Sequence, residues 1–276
     1  MPETLAQIYP TAFVTGASTG LGRAYAEMLL AEGVRVWGTA RDQARLAELA
    51  RHPNFTPVAL ELRDGAAAET VFQAAAGAAG GSFALVINNA GYGVFGDFAA
   101  TDFSVWQQQL EVMLINTARL SHAALRGMRA ANRGALVNIS SLAAEFPLPY
   151  QSAYNIAKAG LTALNESLMI ETAGTAVVVL DVRPGDYRTD FEGSVRRPPG
   201  ATVPRMERAW AAFGRMMQSG PEPAHAAAAL RRALLRRRSG TLRCGRFFQA
   251  FLAPLLARLG SLRLKRRIQD SYFDLN

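Results

Sequence analysis

The chain has 276 residues and a net charge of +8; half of it is apolar and 19% is charged, which is the profile of a folded globular protein rather than a disordered one. One cysteine, Cys244, excludes an intrachain disulfide framework, and with His52, His122 and His225 it forms no familiar metal-ligand spacing. The positive charge sits in one place: residues 223–269 carry twelve Lys/Arg and no acid, so the rest of the chain sums to −4, which argues against a nucleic-acid partner for the body of the protein.

In chain order, residues 12–15 form a short apolar run that ends in a glycine-rich turn, and a helical pattern comes next over 21–32. A second strand is predicted over 34–39 and a second helix over 41–51. Residues 55–62 read as a third strand, 66–79 as an alanine-rich helix, and 84–88 as a short apolar strand of the kind buried on both faces. A long helix covers 102–131, a strand Gly134–Ile139, a helix 150–172, a strand 176–182 and a last strand 241–244. Repeated β-then-α units imply right-handed crossovers and a doubly wound parallel sheet, a three-layer α/β fold. The Arg-, Pro- and Gly-rich piece over 193–204 reads as a loop rather than a boundary. The expected organisation is one dinucleotide-binding catalytic domain over 1–245 and a basic amphipathic extension over 246–276 packed on it.

The first βα turn reads Thr15-Gly16-Ala17-Ser18-Thr19-Gly20-Leu21-Gly22. Glycines let the backbone turn tightly and approach a pyrophosphate, which then sits at a helix N-terminus where free N–H groups favour an anion. The G-x-x-x-G-x-G spacing differs from the G-x-G-x-x-G fingerprint, and an ordinary glycine turn is the alternative. The second strand ends Gly38-Thr39-Ala40-Arg41-Asp42. An NAD site places an acid at this strand end to hold the ribose 2′-hydroxyl; here Ala40 stands there and Arg41, which can bind a 2′-phosphate, comes next. NADP(H) is therefore favoured over NAD(H), with Asp42 next door and a simple surface role for Arg41 as the competing considerations.

Asn138-Ile139-Ser140-Ser141 closes a strand, and Tyr154 lies thirteen residues after Ser141, with Lys158 four residues further on. Residues i and i+4 share a helix face. A nearby ammonium is expected to draw the phenol down from its usual value near 10, so that Tyr154 can exchange a proton with an alcohol or alkoxide. Ser141 would hydrogen-bond the substrate oxygen.

Taken together these pieces resemble the short-chain dehydrogenase/reductase family. The matching segments are the glycine turn, Asn88-Asn89-Ala90-Gly91, Asn116, Ser141, Tyr154 with Lys158, and Pro184-Gly185 leading to Thr189, in the family's order across about two-thirds of the chain. The resemblance implies a Rossmann-type domain and hydride transfer between the nicotinamide and a substrate carbon. By likeness, Asn116, Ser141, Tyr154 and Lys158 form the catalytic set, with Asn116 holding a water in a proton relay through Lys158. Cofactor contacts fall to Gly16, Ser18, Thr19, Gly20, Leu21, Gly22, Arg41, Glu61, Leu62, Asn89, Ala90, Gly91, Tyr154, Lys158, Pro184, Gly185, Tyr187 and Thr189. Three departures stand out. Glu61 replaces an Asp near the adenine, Tyr187 replaces a Val or Ile and suggests a bulkier wall, and Thr19 lacks the basic side chain found in many NADP(H) users.

Tyr150 has no lysine at i+4 and reads as a pocket wall; His122, in an apolar helix, reads as a packed histidine; Cys244 reads as a buried apolar residue. From Arg246 onward, Phe247, Phe248, Phe251, Leu252, Leu255, Leu256, Leu259 and Leu262 recur at helical spacing, broken by Pro254 and Gly260. Two broken amphipathic helices are expected, packed on the domain or a partner subunit; the sharper alternative is peripheral contact with anionic membrane. No apolar run reaches the roughly 20 residues of a membrane span, and Glu3 stands where a signal peptide would carry a basic start. The expectation is a cytoplasmic enzyme, homodimeric or homotetrameric, acting on a small apolar carbonyl or alcohol. A catalytically silent dinucleotide-binding scaffold is the alternative; the intact set of four catalytic residues speaks against it.

Overall fold

Alternation along short apolar runs decides the layering of this chain, because successive strand residues point to opposite faces. The computed structural model describes residues 3–199, 202–255 and 261–275. Among them one sheet contains β1 (Thr11–Val14), β2 (Arg35–Ala40), β3 (Phe55–Ala59), β4 (Leu85–Asn88), β5 (Gly134–Ile139), β6 (Val177–Pro184) and β7 (Gly240–Cys244). Its order is β3-β2-β1-β4-β5-β6-β7, and every neighbouring pair is parallel. Leu85 and Ile87 face one core while Val86 faces the other, and Val178, Leu180 and Val182 alternate with Val177 and Val179 in the same way. The result is the doubly wound parallel sheet that the sequence predicts.

A short helix α1 (Leu5–Ile8), which the pattern did not predict, precedes β1 and is closed by a Thr4–Gln7 capping box. Helices α2 (Gly20–Ala31) and α9 (Pro223–Arg236) cover the first core through Tyr25, Leu29, Leu230 and Leu234. The second core is covered by α3 (Gly65–Ala79), α5 (Asn116–Ala130) and α6 (Ser152–Glu171). There Phe13 meets Phe72 edge-on at 5.0 Å and Phe83 at 5.2 Å, filling the space beside the small side chains of the alanine-rich α3.

Two predicted helices differ. The segment 41–51 is two 3₁₀ turns, Gln43–Leu46 and Leu49–Arg51. Leu46 and Leu49, both buried, lie three residues apart, which suits the eclipsed i, i+3 repeat of 3₁₀ geometry, and Pro53 bars further extension. The long helix over 102–131 is α4 (Phe103–Leu110) and α5 separated by a π turn, Glu111–Ile115, whose last bond runs from the Asn116 N–H to the Glu111 carbonyl. Such turns insert one residue and rotate the next stretch of helix, often at functional positions.

A row of polar side chains crosses the sheet. Asn88, Asn138 and Asp181 are register partners on β4, β5 and β6. Asn88 donates to Asn138 (2.8 Å), Asn138 to Asn165 of α6 (2.6 Å), and Asn165 to Asp181 (3.0 Å). Ser140 and Arg183 also donate to the Asp181 carboxylate, at 2.5 and 2.7 Å. All these side chains are buried.

Beyond β6 the chain forms α7 (Phe191–Ser194), α8 (Pro204–Gln218), α9 and β7. The predicted loop over 193–204 thus begins inside α7, touches Val94 through a β-bridge at Arg196 and enters α8; residues 200 and 201 lie outside the described residues. The tail forms a π turn, Phe248–Leu252, and helix α10 (Leu262–Tyr272). Leu256, Leu259 and Gly260 lie outside the described residues. No helix among the described residues is long and apolar enough to cross a membrane.

Candidate active site

β1 has β2 on one side and β4 on the other, so the chain reverses direction across the sheet there, and a crevice opens at the carboxyl ends of the strands. A cavity of about 960 Å³ occupies that crevice. All the catalytic and cofactor-contacting residues expected from the sequence line it except Gly22 and Asn116.

At one end the glycine turn forms a cradle. Gly16 and Gly20 have φ of +68° and +55°, a left-handed conformation that side-chain-bearing residues rarely adopt. A Cβ on Gly22 would lie 2.2 Å from the Gly16 carbonyl oxygen, so Gly22 acts through packing beneath the turn rather than by lining the cavity. The turn is held from β4: the Asn89 side-chain amide donates to the Thr15 and Gly16 carbonyls, and the Asn89 and Ala90 N–H groups donate to the Thr15 hydroxyl at 2.8 and 3.0 Å. Thr19 stands at the N-cap of α2 but its side chain makes no cap bond, which leaves first-turn N–H groups for an anion. Thr189 packs over Gly20 from the far side.

At the end of β2, Arg41 is joined by Arg45 and Arg63, neither of which sequence reasoning singled out. All three are exposed, and none forms an ion pair among the described residues. Asp42 is engaged as a cap, accepting from the Ala44 N–H at 2.9 Å, and Glu61 accepts from the Arg63 N–H at 3.0 Å. The donor set is thus three unpaired guanidiniums beside a left-handed glycine turn, which fits a phosphorylated dinucleotide. The spacing of Arg45 and Arg63 from Arg41 carries no motif; only the fold brings them together.

The other end holds the polar pair. Tyr154 and Lys158 lie one turn apart on α6, both buried, with Lys158 Nζ 5.6 Å from the Tyr154 ring centroid. Lys158 donates to the Ile139 carbonyl at 2.7 Å, which ties α6 to the end of β5. Ser141 lies just past β5; its hydroxyl accepts from the Ala143 N–H at 3.0 Å and caps a short 3₁₀ turn. Burial pushes the Tyr154 phenol up to about 12 against the lowering pull of the Ser141 hydroxyl, and the Asp186 charge raises it further. Burial also pulls the Lys158 ammonium down to about 8, against the raising effect of Asp181. In the free protein, desolvation by burial is the largest influence on both groups. At neutral pH the pair is a protonated phenol beside an ammonium, an arrangement suited to donating a proton.

Asn116 does not reach this pair. Its side-chain amide donates to the Leu62 carbonyl at 2.7 Å, and it has no place in the cavity wall. It closes the π turn instead. Tyr187 lines the cavity while its side chain is buried against the first core, with its hydroxyl 2.9 Å from His225 Nδ1. Tyr150 packs against Phe95 with tilted rings whose centroids are 5.5 Å apart and is not in the wall, and His122 is exposed. Cys244 is buried.

The remaining wall comes from α7, α8 and the tail, through Phe191, Phe213, Met217, Phe248, Ile268 and Phe273. Two tail residues, Gln249 and Tyr272, reach Asp186. Sequence reasoning passed over Asp186 although it stands directly after Pro184-Gly185. The tail's outer face leaves Phe247 and Phe251 exposed and stacked on each other.

The short-chain dehydrogenase family model matches residues 10–200. An uncharacterised oxidoreductase of Schizosaccharomyces pombe is 30% identical over 188 residues, covering 67% of this chain and 63% of that protein, so the match spans less than two thirds of the relative's own length. A probable NADP-dependent dehydrogenase of Haemophilus influenzae is 32% identical over 178 residues, 63% of this chain and 70% of that one. Among solved structures, a short-chain dehydrogenase from Streptomyces avermitilis is 32% identical with a TM-score of 0.79, covering 94% of this chain and 96% of the other. The family match, the seven-stranded order of the sheet and the relatives agree: this chain belongs to the short-chain dehydrogenase/reductase family of oxidoreductases.

Proposed function

We propose that the chain is an NADP(H)-dependent oxidoreductase that interconverts a carbonyl and an alcohol on an apolar substrate, with Tyr154 as general acid and base. The observation that carries this reading is the buried Tyr154–Lys158 pair beside Ser141, in the same cavity as the glycine cradle. Bound along that cavity, a nicotinamide dinucleotide supplies or accepts the hydride. The backbone around Gly16 and Gly20 and the N-terminus of α2 hold its pyrophosphate, and Arg41, with Arg45 and Arg63, holds the 2′-phosphate. The name of the Haemophilus relative supports the same cofactor preference. Ser141 orients the substrate oxygen, and Tyr154, protonated at neutral pH, donates its proton to the developing alkoxide. Lys158, fixed on the Ile139 carbonyl, places a positive charge beside the phenolate that results. Apolar walls from Leu142, Phe191, Phe213 and Met217 exclude water and suit a carbon-rich substrate. A silent scaffold has no use for a buried lysine beside a buried tyrosine, since each costs desolvation free energy.

These roles lead to three expected outcomes. Tyr154→Phe is expected to lower NADPH oxidation across a panel of aldehydes and ketones by about a hundredfold or more, with NADPH affinity near that of the wild type; retained turnover contradicts the assignment. Arg41→Ala is expected to weaken NADPH by about tenfold more than NADH in fluorescence titrations; equal weakening contradicts the cofactor preference. Burial depresses Lys158 to about 8, so its ammonium is present below that pH and is lost as pH rises through it, while Tyr154 at about 12 stays protonated. The kcat/KM for NADPH in carbonyl reduction, which reports groups of the free enzyme, is therefore expected to be level at neutral pH and to fall with a one-proton slope above about pH 8. A profile that is level far into the alkaline range contradicts this.

A further inference from the structure

Asp186 is an acid in the wall of the cavity. It is half-buried, and the wall of the same cavity includes Leu142, Phe213, Met217, Phe248 and Ile268. Its hydrogen-bond donors are both neutral and both from the tail: the Tyr272 hydroxyl at 2.6 Å and the Gln249 side-chain amide at 2.5 Å. Both donate to the same carboxylate oxygen, Oδ2. Among the described residues Oδ1 accepts no side-chain hydrogen bond, and no Arg, Lys or His comes within ion-pair distance of Asp186. Gln249, beside it, has a buried Oε1 with no donor. A negative charge partly removed from water gains from a cation or further donors; here the hydrogen bonds fall on one oxygen only, and the Arg246 charge is felt at the neighbouring Tyr272. Asp186 lines the same cavity as Ser141 and Tyr154.

We propose that Asp186 is a subsite for a protonated amine, and that the substrates favoured by this chain are apolar amino alcohols and amino ketones whose nitrogen lies close to the reacting carbon. An ammonium supplies the missing charge and three N–H donors, enough for Asp186 Oδ1 and for the orphaned Gln249 Oε1. The surrounding aliphatic and aromatic walls then take the substrate's hydrocarbon part. The inference rests on the carbonyl–alcohol reading of the same cavity. Asp186 selects the substrate and takes no part in proton transfer.

The test compares a saturated secondary alkanol with its congener bearing an amino group on the carbon beside the carbinol. Both are oxidised at neutral pH with NADP+ by the full chain. The amino congener is expected to show a KM lower by about tenfold or more, the usual worth of a hydrogen bond to a charged group. Asp186→Asn, which keeps the shape and removes the charge, is expected to bring the two KM values together. Tyr272→Phe, which removes a tail contact but leaves the carboxylate, is expected to preserve the preference. Calorimetric titration of both compounds into the Tyr154→Phe variant with NADP+ reads the same ratio as dissociation constants without turnover. A failure of the catalytic reading therefore leaves this one testable. Equal affinities in the wild-type chain overturn the proposal. So does an Asp186→Asn variant that weakens both compounds alike, which would make Asp186 only a clasp for the tail. A variant that weakens NADP+ and leaves the ratio intact also overturns it, since the carboxylate would then serve the nicotinamide cation.

Discussion

The buried row that runs from Asn88 through Asn138 and Asn165 to Asp181 is the constraint on which the active end of this molecule depends. Each side chain is removed from water, and their mutual hydrogen bonds form only when β4, β5, β6 and α6 stand in one register, although the Asn88 Oδ1 has no donor among the described residues. A slip of one residue along β5 would turn Asn138 to the opposite core and leave several buried polar groups without partners, at about 1–3 kcal/mol each. Apolar packing alone tolerates such repacking better than a chain of buried hydrogen bonds does. The row therefore fixes where β5 ends. That end carries Ser141 and the Ile139 carbonyl that receives Lys158.

That fixed point sets both ends of the cavity. Asn165 lies on the same helix as Tyr154 and Lys158, so the network that sets the sheet also sets the rotation of α6. Burial then gives the pair its chemistry in the free protein: a phenol held protonated and an ammonium held near its point of release. At the other end a staple from Asn89 to Thr15 and Gly16 holds the glycine turn against β4. The two ends share the short strand β4, which links the staple to the row.

Much of this was legible in the sequence, because period-two alternation, the glycine turn and the i, i+4 pair are local signals. They account for the parallel sheet and for the lining of the cavity by Gly16, Arg41, Ser141, Tyr154 and Lys158. The misses have physical causes. Residues 41–51 have helical composition, yet two leucines three apart and a nearby proline favour 3₁₀ turns. The π turn before Asn116 inserts a residue that no hydrophobic pattern marks. The Tyr187 hydroxyl meets His225 across 38 residues of chain, which no local pattern marks. Asp186 meets Gln249 and Tyr272 across 63 and 86 residues of chain, a juxtaposition that only the tertiary fold creates.

The central claim is that this cavity carries a hydride between a nicotinamide and a carbonyl carbon while Tyr154 supplies the proton. Its most direct test is isotopic. NADPH carrying deuterium at both C4 positions is incubated with the purified chain and a ketone in ordinary water, and the alcohol product is analysed by mass spectrometry. The account predicts a single deuterium on the carbinol carbon and an ordinary hydrogen on its oxygen. An alcohol formed without deuterium on carbon would contradict it.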